Sequence, residues 1–557
     1  MSVLPTPDSN RSRSARQWAS CAFAAVLLSA GSAVAQTTPT APQTPASSSE
    51  PGLDGVFARW DTDNTPGCTV GVQRGKGAPR IRAYGLAEME HGVRARPDTV
   101  YEAGSVSKQV VAAAILLLVQ DGRIGLDDDV RAYVPELPDY GTPITIRMLL
   151  NHTSGLRDWG AVVEMEGWPR GTRTVTNDDT VRITARQRQT NFVPGSEWQY
   201  TNAGYNLSAV IIQRITGQSL AEFTQERLFQ PLGMTHSRWR DDFSAVVPGR
   251  AVAYGRRGGA YHQAMPFENA YGNGGMLTTV EDLLNWNRAL DDGRLPPAMV
   301  EAMQERGTAG GRQIAYGLGL FVDRYRGVTE VAHAGSTAGY RAWLGRYPEA
   351  GLSIALLCNT AEADGGALGR SVAALYLPDR ADPVAETGAF AEGRTPPAPG
   401  LFVGEGAEPP LTLAVDAEGY PTLRGQRLIQ TGPDQYRMGS ATVSVLSEDS
   451  LEVTTIDRGT VTYTRKPWFT PAPADLESFV GTYVSDEIPV RMTVSVVDNG
   501  LTLSRGSDAP QALSPAQADT FMGGPGTLWF QRDESGRVTT LHLNNGRIRD
   551  LRLVRVE

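Results

Sequence analysis

Tyr101–Gly125, YEAGSVSKQVVAAAILLLVQDGRIG, is the stretch on which the reading of this chain turns. Val106, Val110, Val111, Ala113, Ile115, Leu116, Leu117 and Val119 cover nearly every face of a helix. A helix apolar all round is a buried, central one, and Asp121-Gly122 ends it. Ser105 stands at its start, with Lys108 about one turn further on. The chain has 52 basic residues, yet only Lys76, Lys108 and Lys466 are lysines. Arginine does not release its proton in a protein, whereas a desolvated lysine amine does. A lysine kept here, in so arginine-rich a chain, points to a base.

The spacing Ser105-x-x-Lys108 puts both side chains on one helical face. The positive end of the helix offers N–H groups to an oxyanion and disfavours a protonated lysine. Burial adds to that effect and makes the amine a usable base. The plain alternative is a capping serine beside a snorkelling lysine, and the bare pattern does not exclude it.

Outward from this helix, Cys68–Arg74 (CTVGVQR) and Arg80–Gly85 (RIRAYG) read as a hairpin. Asn191–Gly217 reads as a turn leading into an amphipathic helix closed by Gly217, and a further helix is expected over Leu220–Phe229. Thr278 or Thr279 is placed to cap the helix that follows. From Tyr316 the pattern changes to strands: YGLGLFV, VAHAG, YRAWLGRY and LSIALLCN form an antiparallel meander, closed by a helix around Ala363–Tyr376. Strands at both ends with helices between them predict one sheet built from the two ends, an α/β domain. Beyond it an internal repeat emerges. Phe402-Val403-Gly404 recurs as Phe479-Val480-Gly481, Leu411–Gly425 as Met492–Gly506, and Asp434-x-Tyr436 as Asp519-x-Phe521. Two small all-β antiparallel barrel domains are expected there.

The expected boundaries are a signal peptide over 1–35, a Pro/Thr/Ser tether over 36–50, the α/β domain over 51–380, a linker over 381–400, and β domains over 401–467 and 474–557. The leader combines Arg11, Arg13 and Arg16, an apolar core from Ala19 to Ala30, and cleavage after Ala35. Its apolar run is too short to span a bilayer, so a periplasmic or secreted protein without a membrane partner is expected. Cys68 and Cys358 then remain. They can pair in an oxidising compartment, though the reading leans to two separate buried thiols. A net charge of −9 with no basic run argues against nucleic acid, and the homodimer is left open.

Two further blocks carry chemistry. Tyr200-Thr201-Asn202 follows Pro194-Gly195: a tyrosine there can relay a proton and an asparagine amide can hold a carbonyl. Taken alone, a packed tyrosine and a turn asparagine explain it as well. His333-Ala334-Gly335-Ser336 follows a strand. Gly335 permits close backbone approach and the Ser336 N–H can serve as an oxyanion donor, though a histidine near a strand end is more often structural. No metal-ligand spacing or phosphate loop is present, and no cofactor is expected.

Together, Ser-x-x-Lys, Tyr-x-Asn and His-x-Gly, in that order, resemble the penicillin-recognising serine hydrolases. Supporting stretches are HTSGL (152–156), YTNAGYNL, PLGM and GNGGMLTTVEDL, so the likeness covers about Pro51–Pro378. The chain looks like the branch of class C β-lactamases, D,D-peptidases, esterases and D-aminopeptidases. HTSGLRDW, GTYVSDEIPVRMTV in the last domain, and two β domains after the catalytic one resemble D-aminopeptidase most. The resemblance implies a fold of an antiparallel sheet flanked by helices. It implies Ser105 as nucleophile, Lys108 as its base and Tyr200 as proton shuttle. Asn202 would orient the acyl chain and His333 would assist from the opposite wall. The N–H groups of Ser105 and Ser336 would form the oxyanion hole. The expected partners are small peptide, amide or ester substrates and cell-wall fragments, with D-amino-acid peptides first. A β-lactamase, a D,D-carboxypeptidase, a carboxylesterase and a non-turnover penicillin or peptidoglycan sensor are the alternatives. A loop of the last domain reaching the site and limiting substrate size is also implied.

Overall fold

The structure, a computed structural model, describes residues 51–168, 173–378, 398–404, 408–438, 441–455, 459–524 and 526–556. The leader, the tether and residues 381–397 of the linker lie outside the described residues.

In chain order the elements that frame the site are α1 (Pro51–Phe57), β1 (Cys68–Arg74), β2 (Arg80–Tyr84), α2 (Lys108–Gln120), α3 (Ala203–Thr216), α4 (Val280–Asp291), β3 (Phe321–Tyr325), β4 (Val328–Thr337), β5 (Tyr340–Tyr347), β6 (Leu352–Cys358) and α5 (Gly365–Tyr376). The strands form one antiparallel sheet in the order β3-β4-β5-β6-β1-β2. The two ends of the segment thus meet where β1 pairs with β6, Cys68 opposite Cys358. Both cysteines are fully buried and joined in a disulfide. This corrects the leaning toward separate thiols: direct opposition on neighbouring strands brings the two β-carbons close enough to bridge.

α2 is central, as its composition requires. Every residue from Lys108 to Leu118 is buried, and a 3₁₀ turn, Gly104–Ser107, precedes it. α3 ends at Gly217, which is left-handed (φ 77°), and Thr279 caps α4 by accepting from Asp282 N. Two expectations differ in detail. The helix over Leu220–Phe229 gives way to a π-turn at Gln225–Phe229 before Pro231, which has no N–H to continue an α-helical ladder. The strand beginning at Tyr316 starts only at Phe321, after Gly319 turns left-handed (φ 83°).

Beyond the sheet, Gly400–Lys466 forms nine strands whose edge strands, Gln426–Arg427 and Ile429–Gly432, are consecutive in the chain. Gly481–Arg555 forms a closed eight-stranded barrel. The sequence repeat is a structural one. Asp434 and Asp519 both turn left-handed (φ 57° and 63°), and their carbonyls accept from Val445 N and Phe530 N, each at 2.8 Å. The aromatic residue two positions on, Tyr436 or Phe521, is buried in each.

Candidate active site

Two glycines bring the turn carrying Ser105 against β4. A Cβ on Gly335 would lie 2.0 Å from the Ala103 carbonyl oxygen, and one on Gly104, itself left-handed (φ 51°), 2.7 Å from Ser336 N. No side chain fits at either position. The head of α2 and the end of β4 therefore touch backbone to backbone, with Ser105 and Ser336 on one cavity of about 1310 Å³. Tyr200, Asn202, His333 and Gly335 line the same cavity, so the residues singled out in the sequence come together, with Lys108 buried beneath them.

Lys108 Nζ lies 3.1 Å from Ser105 Oγ and 3.0 Å from Asn202 Oδ1, and it also donates to the Asn273 carbonyl. Two of these partners, the amide oxygens, can only accept. A neutral amine has two N–H groups for those oxygens and one lone pair left for the serine hydroxyl. Burial, then the nearby Arg547 guanidinium, push the lysine well below its ordinary pKa, against the attraction of Asp158. A neutral amine in that position can take the proton of Ser105. Asn202 sits at the N-cap of α3, where an asparagine ordinarily caps the helix. Its side chain makes no cap bond and turns to the lysine instead.

The Tyr200 hydroxyl is buried and closes no hydrogen bond of good geometry. Burial raises its pKa, which Ser105 nearby partly offsets. His333 is buried on β4 with both ring nitrogens occupied. Nδ1 is 2.6 Å from the Ala334 carbonyl, so it carries the proton, and Nε2 accepts from Tyr316 Oη at 2.9 Å. Burial pushes its pKa down to about 3, against the hydrogen bond to the Ala334 carbonyl. The imidazole is neutral and has no free N–H in this arrangement. It lines the cavity as a neutral ring held by Tyr316.

Three contributors were not assigned from sequence. Asp158 accepts from Asn202 N at 2.7 Å and from Ala161 N at 3.2 Å, and it lines the cavity. It lies in HTSGLRDW, a quoted stretch, so the signal was present without a role. His152, in the same stretch, is fully buried and left-handed (φ 64°), with its ring 4.2 Å from that of Tyr200. Its Nδ1 faces Thr201 N at 3.4 Å and its Nε2 has no partner. Arg547 comes from the last barrel, on the loop between the strands Val538–Asn544 and Leu551–Arg555. Its guanidinium lies 3.4 Å from Asp158 Oδ2 and 5.5 Å from the Tyr200 ring centroid. The loop backbone is held by Asn191 Nδ2 on the Arg547 carbonyl at 2.9 Å and Gln199 Nε2 on that of Gly546 at 2.6 Å. Among the described residues, no group of three His, Cys, Asp or Glu side chains is placed to hold a metal.

Residues 55–377 match the family model described as Beta-lactamase. Over 512 residues the chain is 26% identical to a D-aminopeptidase of Cereibacter sphaeroides, covering 86% of this chain and 93% of that one. Over 332 residues it is 33% identical to the esterase EstB of Burkholderia gladioli, covering 50% of this chain and 82% of that one. Among solved structures, the octameric penicillin-binding protein homologue from Pyrococcus abyssi superposes with a TM-score of 0.52 at 22% identity, over 80% of this chain and 95% of that one. A D-amino acid amidase from Ochrobactrum anthropi SV3 gives 0.52 at 22% over 58% and 98%; at such identities these two speak for the fold alone. The match over more than half the chain, on the fold just described, makes this protein a member of the β-lactamase family and a serine hydrolase.

Proposed function

We propose that the protein is an exported hydrolase of short D-amino-acid peptides and amides that works through an acyl-enzyme. Ser105 attacks the scissile carbonyl while Lys108 takes its proton, and the N–H groups of Ser105 and Ser336 hold the oxyanion. Tyr200 passes the proton to the leaving amine and afterwards activates water. Asn202 orients the acyl half, and His333 shapes the opposite wall. The observation that carries this reading is the buried Lys108 amine 3.1 Å from Ser105 Oγ, whose burial holds its pKa well below the ordinary lysine value. A relative named D-aminopeptidase, matched over most of both chains, points the same way.

Export rests on the leader read in the sequence and is supported by the buried Cys68–Cys358 disulfide, a bond suited to an oxidising compartment. In that setting cell-wall fragments are the natural source of D-amino-acid peptides. The proposed organisation is a catalytic domain over 51–380 followed by β domains over 401–467 and 474–557. The likeness to an esterase favours a second reading, in which short acyl esters are the substrate.

A panel on the mature protein separates these readings. It comprises D-alanyl p-nitroanilide, its N-acetylated and L forms, a penicillin and a short acyl ester. The proposal expects the free-amine D-substrate to be turned over fastest. Preference for the N-acetylated form or the ester sinks it, and a stable penicillin adduct without product by intact mass indicates a sensor.

A further inference from the structure

Nothing at its tip aims the Tyr200 hydroxyl, which closes no hydrogen bond of good geometry. Its direction is set from behind, by the ring and by the backbone on either side, and His152 holds both. The N–H before Tyr200, on Gln199, donates to the His152 carbonyl at 3.0 Å. The N–H after it, on Thr201, donates to His152 Nδ1 in a long bond of 3.4 Å. Between these two bonds the imidazole lies against the Tyr200 ring, with centroids 4.2 Å apart and planes inclined by 38°. Asp158, further along the same stretch, takes the next N–H, that of Asn202.

The imidazole is itself immobilised. It is fully buried, 4.7 Å from the Tyr316 ring and 5.4 Å from the Tyr205 ring. Both of those rings are tied down by their hydroxyls, Tyr316 to His333 Nε2 at 2.9 Å and Tyr205 to the Leu150 carbonyl at 2.5 Å. Burial holds the His152 pKa well below the ordinary histidine value, so the ring is neutral. With Nδ1 accepting, its one proton is on Nε2, which has no hydrogen-bond partner. A bare buried N–H and a left-handed backbone (φ 64°) both cost stability. An apolar side chain would pack there without the bare N–H, so packing alone does not account for a histidine.

We infer that His152 is the positioning residue for Tyr200, holding the phenol by ring contact and by the two flanking N–H groups where it can hand a proton to the leaving group. The inference rests on the reading above in one respect, that Tyr200 protonates the leaving atom. His152 does not line the cavity and moves no proton itself. Its effect therefore scales with the need of the leaving group for a proton. An amine or an alkoxide must be protonated as it departs, whereas p-nitrophenolate leaves as the anion.

D-alaninamide, ethyl acetate and p-nitrophenyl acetate test this on the mature chain. His152→Asn keeps an acceptor at the δ position and suits the left-handed backbone but has no ring, while His152→Phe keeps a ring and has no acceptor. Each is expected to lower kcat/KM for D-alaninamide and ethyl acetate by about tenfold to a hundredfold, mainly through kcat, and that for p-nitrophenyl acetate by no more than about threefold. Circular dichroism checks the fold, and His152→Asn serves if His152→Phe does not fold. A fall equal for all three substrates, or no fall, in a folded variant overturns the inference, while wild-type turnover of D-alaninamide keeps the amidase reading. If wild type cleaves only the esters and the variants still split them, His152 keeps its role and the amidase reading falls. A nitrogen NMR spectrum of the wild-type histidines, with that of His333→Gln to tell the two buried rings apart, should show His152 protonated at Nε2 alone. A proton on its Nδ1 overturns the inference whether or not either variant folds.

Discussion

Arg157, fully buried near the candidate site, donates to Glu487 of the last barrel at 2.8 Å. The same guanidinium donates to the carbonyls of Arg549 (3.2 Å) and Asp550 (3.0 Å), while Glu487 also accepts from Arg188 N and Gln189 N. One buried pair thus ties together the HTSGLRDW segment, the barrel and the loop that delivers Arg547.

Removing one partner leaves a charge buried and unpaired, which costs about 3–5 kcal/mol. Arg157→Met is therefore expected to lower the unfolding midpoint strongly and to raise KM for small substrates more than it lowers kcat, because the loop loses its anchor. Arg157→Met with Glu487→Gln, which removes the second charge and keeps an acceptor for Arg188 N and Gln189 N, is expected to recover much of the stability and little of the KM. Denaturant titration and steady-state kinetics check both. Equal stability of the single and double variants would count against this role.

Lys108→Arg keeps a cation but cannot act as a base, so it is expected to be nearly inactive. Lys108→Met should also be inactive, yet its stability should depend on pH differently. The buried amine has a folded pKa below its unfolded value of 10.5. Between those two values the unfolded chain binds a proton that the native chain does not, so this group makes stability rise with pH by about 1.4 kcal/mol per unit. Lys108→Met removes that slope and stabilises the fold most toward the acid end of the window. Urea titrations across neutral pH check the sign, and an unaltered slope would mean that Lys108 is charged in the folded protein.

The sheet, the central helix and the Ser105, Lys108, Tyr200, Asn202 and His333 set were legible because each leaves a local mark: an apolar helix, a misplaced lysine, a turn before a helix. Arg547 leaves none. It is one arginine among many, and its place depends on how a barrel some hundreds of residues later docks. The state of His333 was hidden for a similar reason, because its partner Tyr316 precedes the strand at a bend that glycine makes. The disulfide waited on register, which depends on which strands pair across nearly the whole domain.

His333, with its pKa down to about 3, is neutral across the working range. Its own titration should therefore leave no step near the ordinary histidine value in the pH profile of kcat/KM. His333→Gln is expected to lower kcat while leaving the acid limb where it was, since the proposed mechanism gives the titrating base to Lys108. A limb that moves with the substitution would show that the imidazole titrates during turnover.

Cys68 and Cys358 close a loop of sequence separation 290 across the centre of the sheet. Replacing both with alanine is expected to cost about 2–4 kcal/mol, mainly by freeing the unfolded chain. Activity per folded molecule should change little, because neither sulfur lines the cavity. Thiol counting under denaturing conditions with and without reductant checks the pairing, and thermal melts check the cost. Two free thiols in protein matured through an oxidising compartment would refute it.

Gly335→Ala is the sharpest test of how β4 meets the nucleophile turn. The added methyl would stand 2.0 Å from the Ala103 carbonyl, far inside contact distance, and that carbonyl belongs to the residue two before Ser105. The strand and the turn must separate by an ångström or more, which pulls Ser336 N away from Ser105. An oxyanion donor displaced that far loses about 10²–10³ in kcat. The buried sheet should tolerate the shift with a smaller penalty, so the variant is expected to fold and to bind substrate while turning over slowly. Single-turnover acylation with an activated ester separates the two effects. Acylation at the wild-type rate in a folded Gly335→Ala protein would show that the oxyanion is held elsewhere.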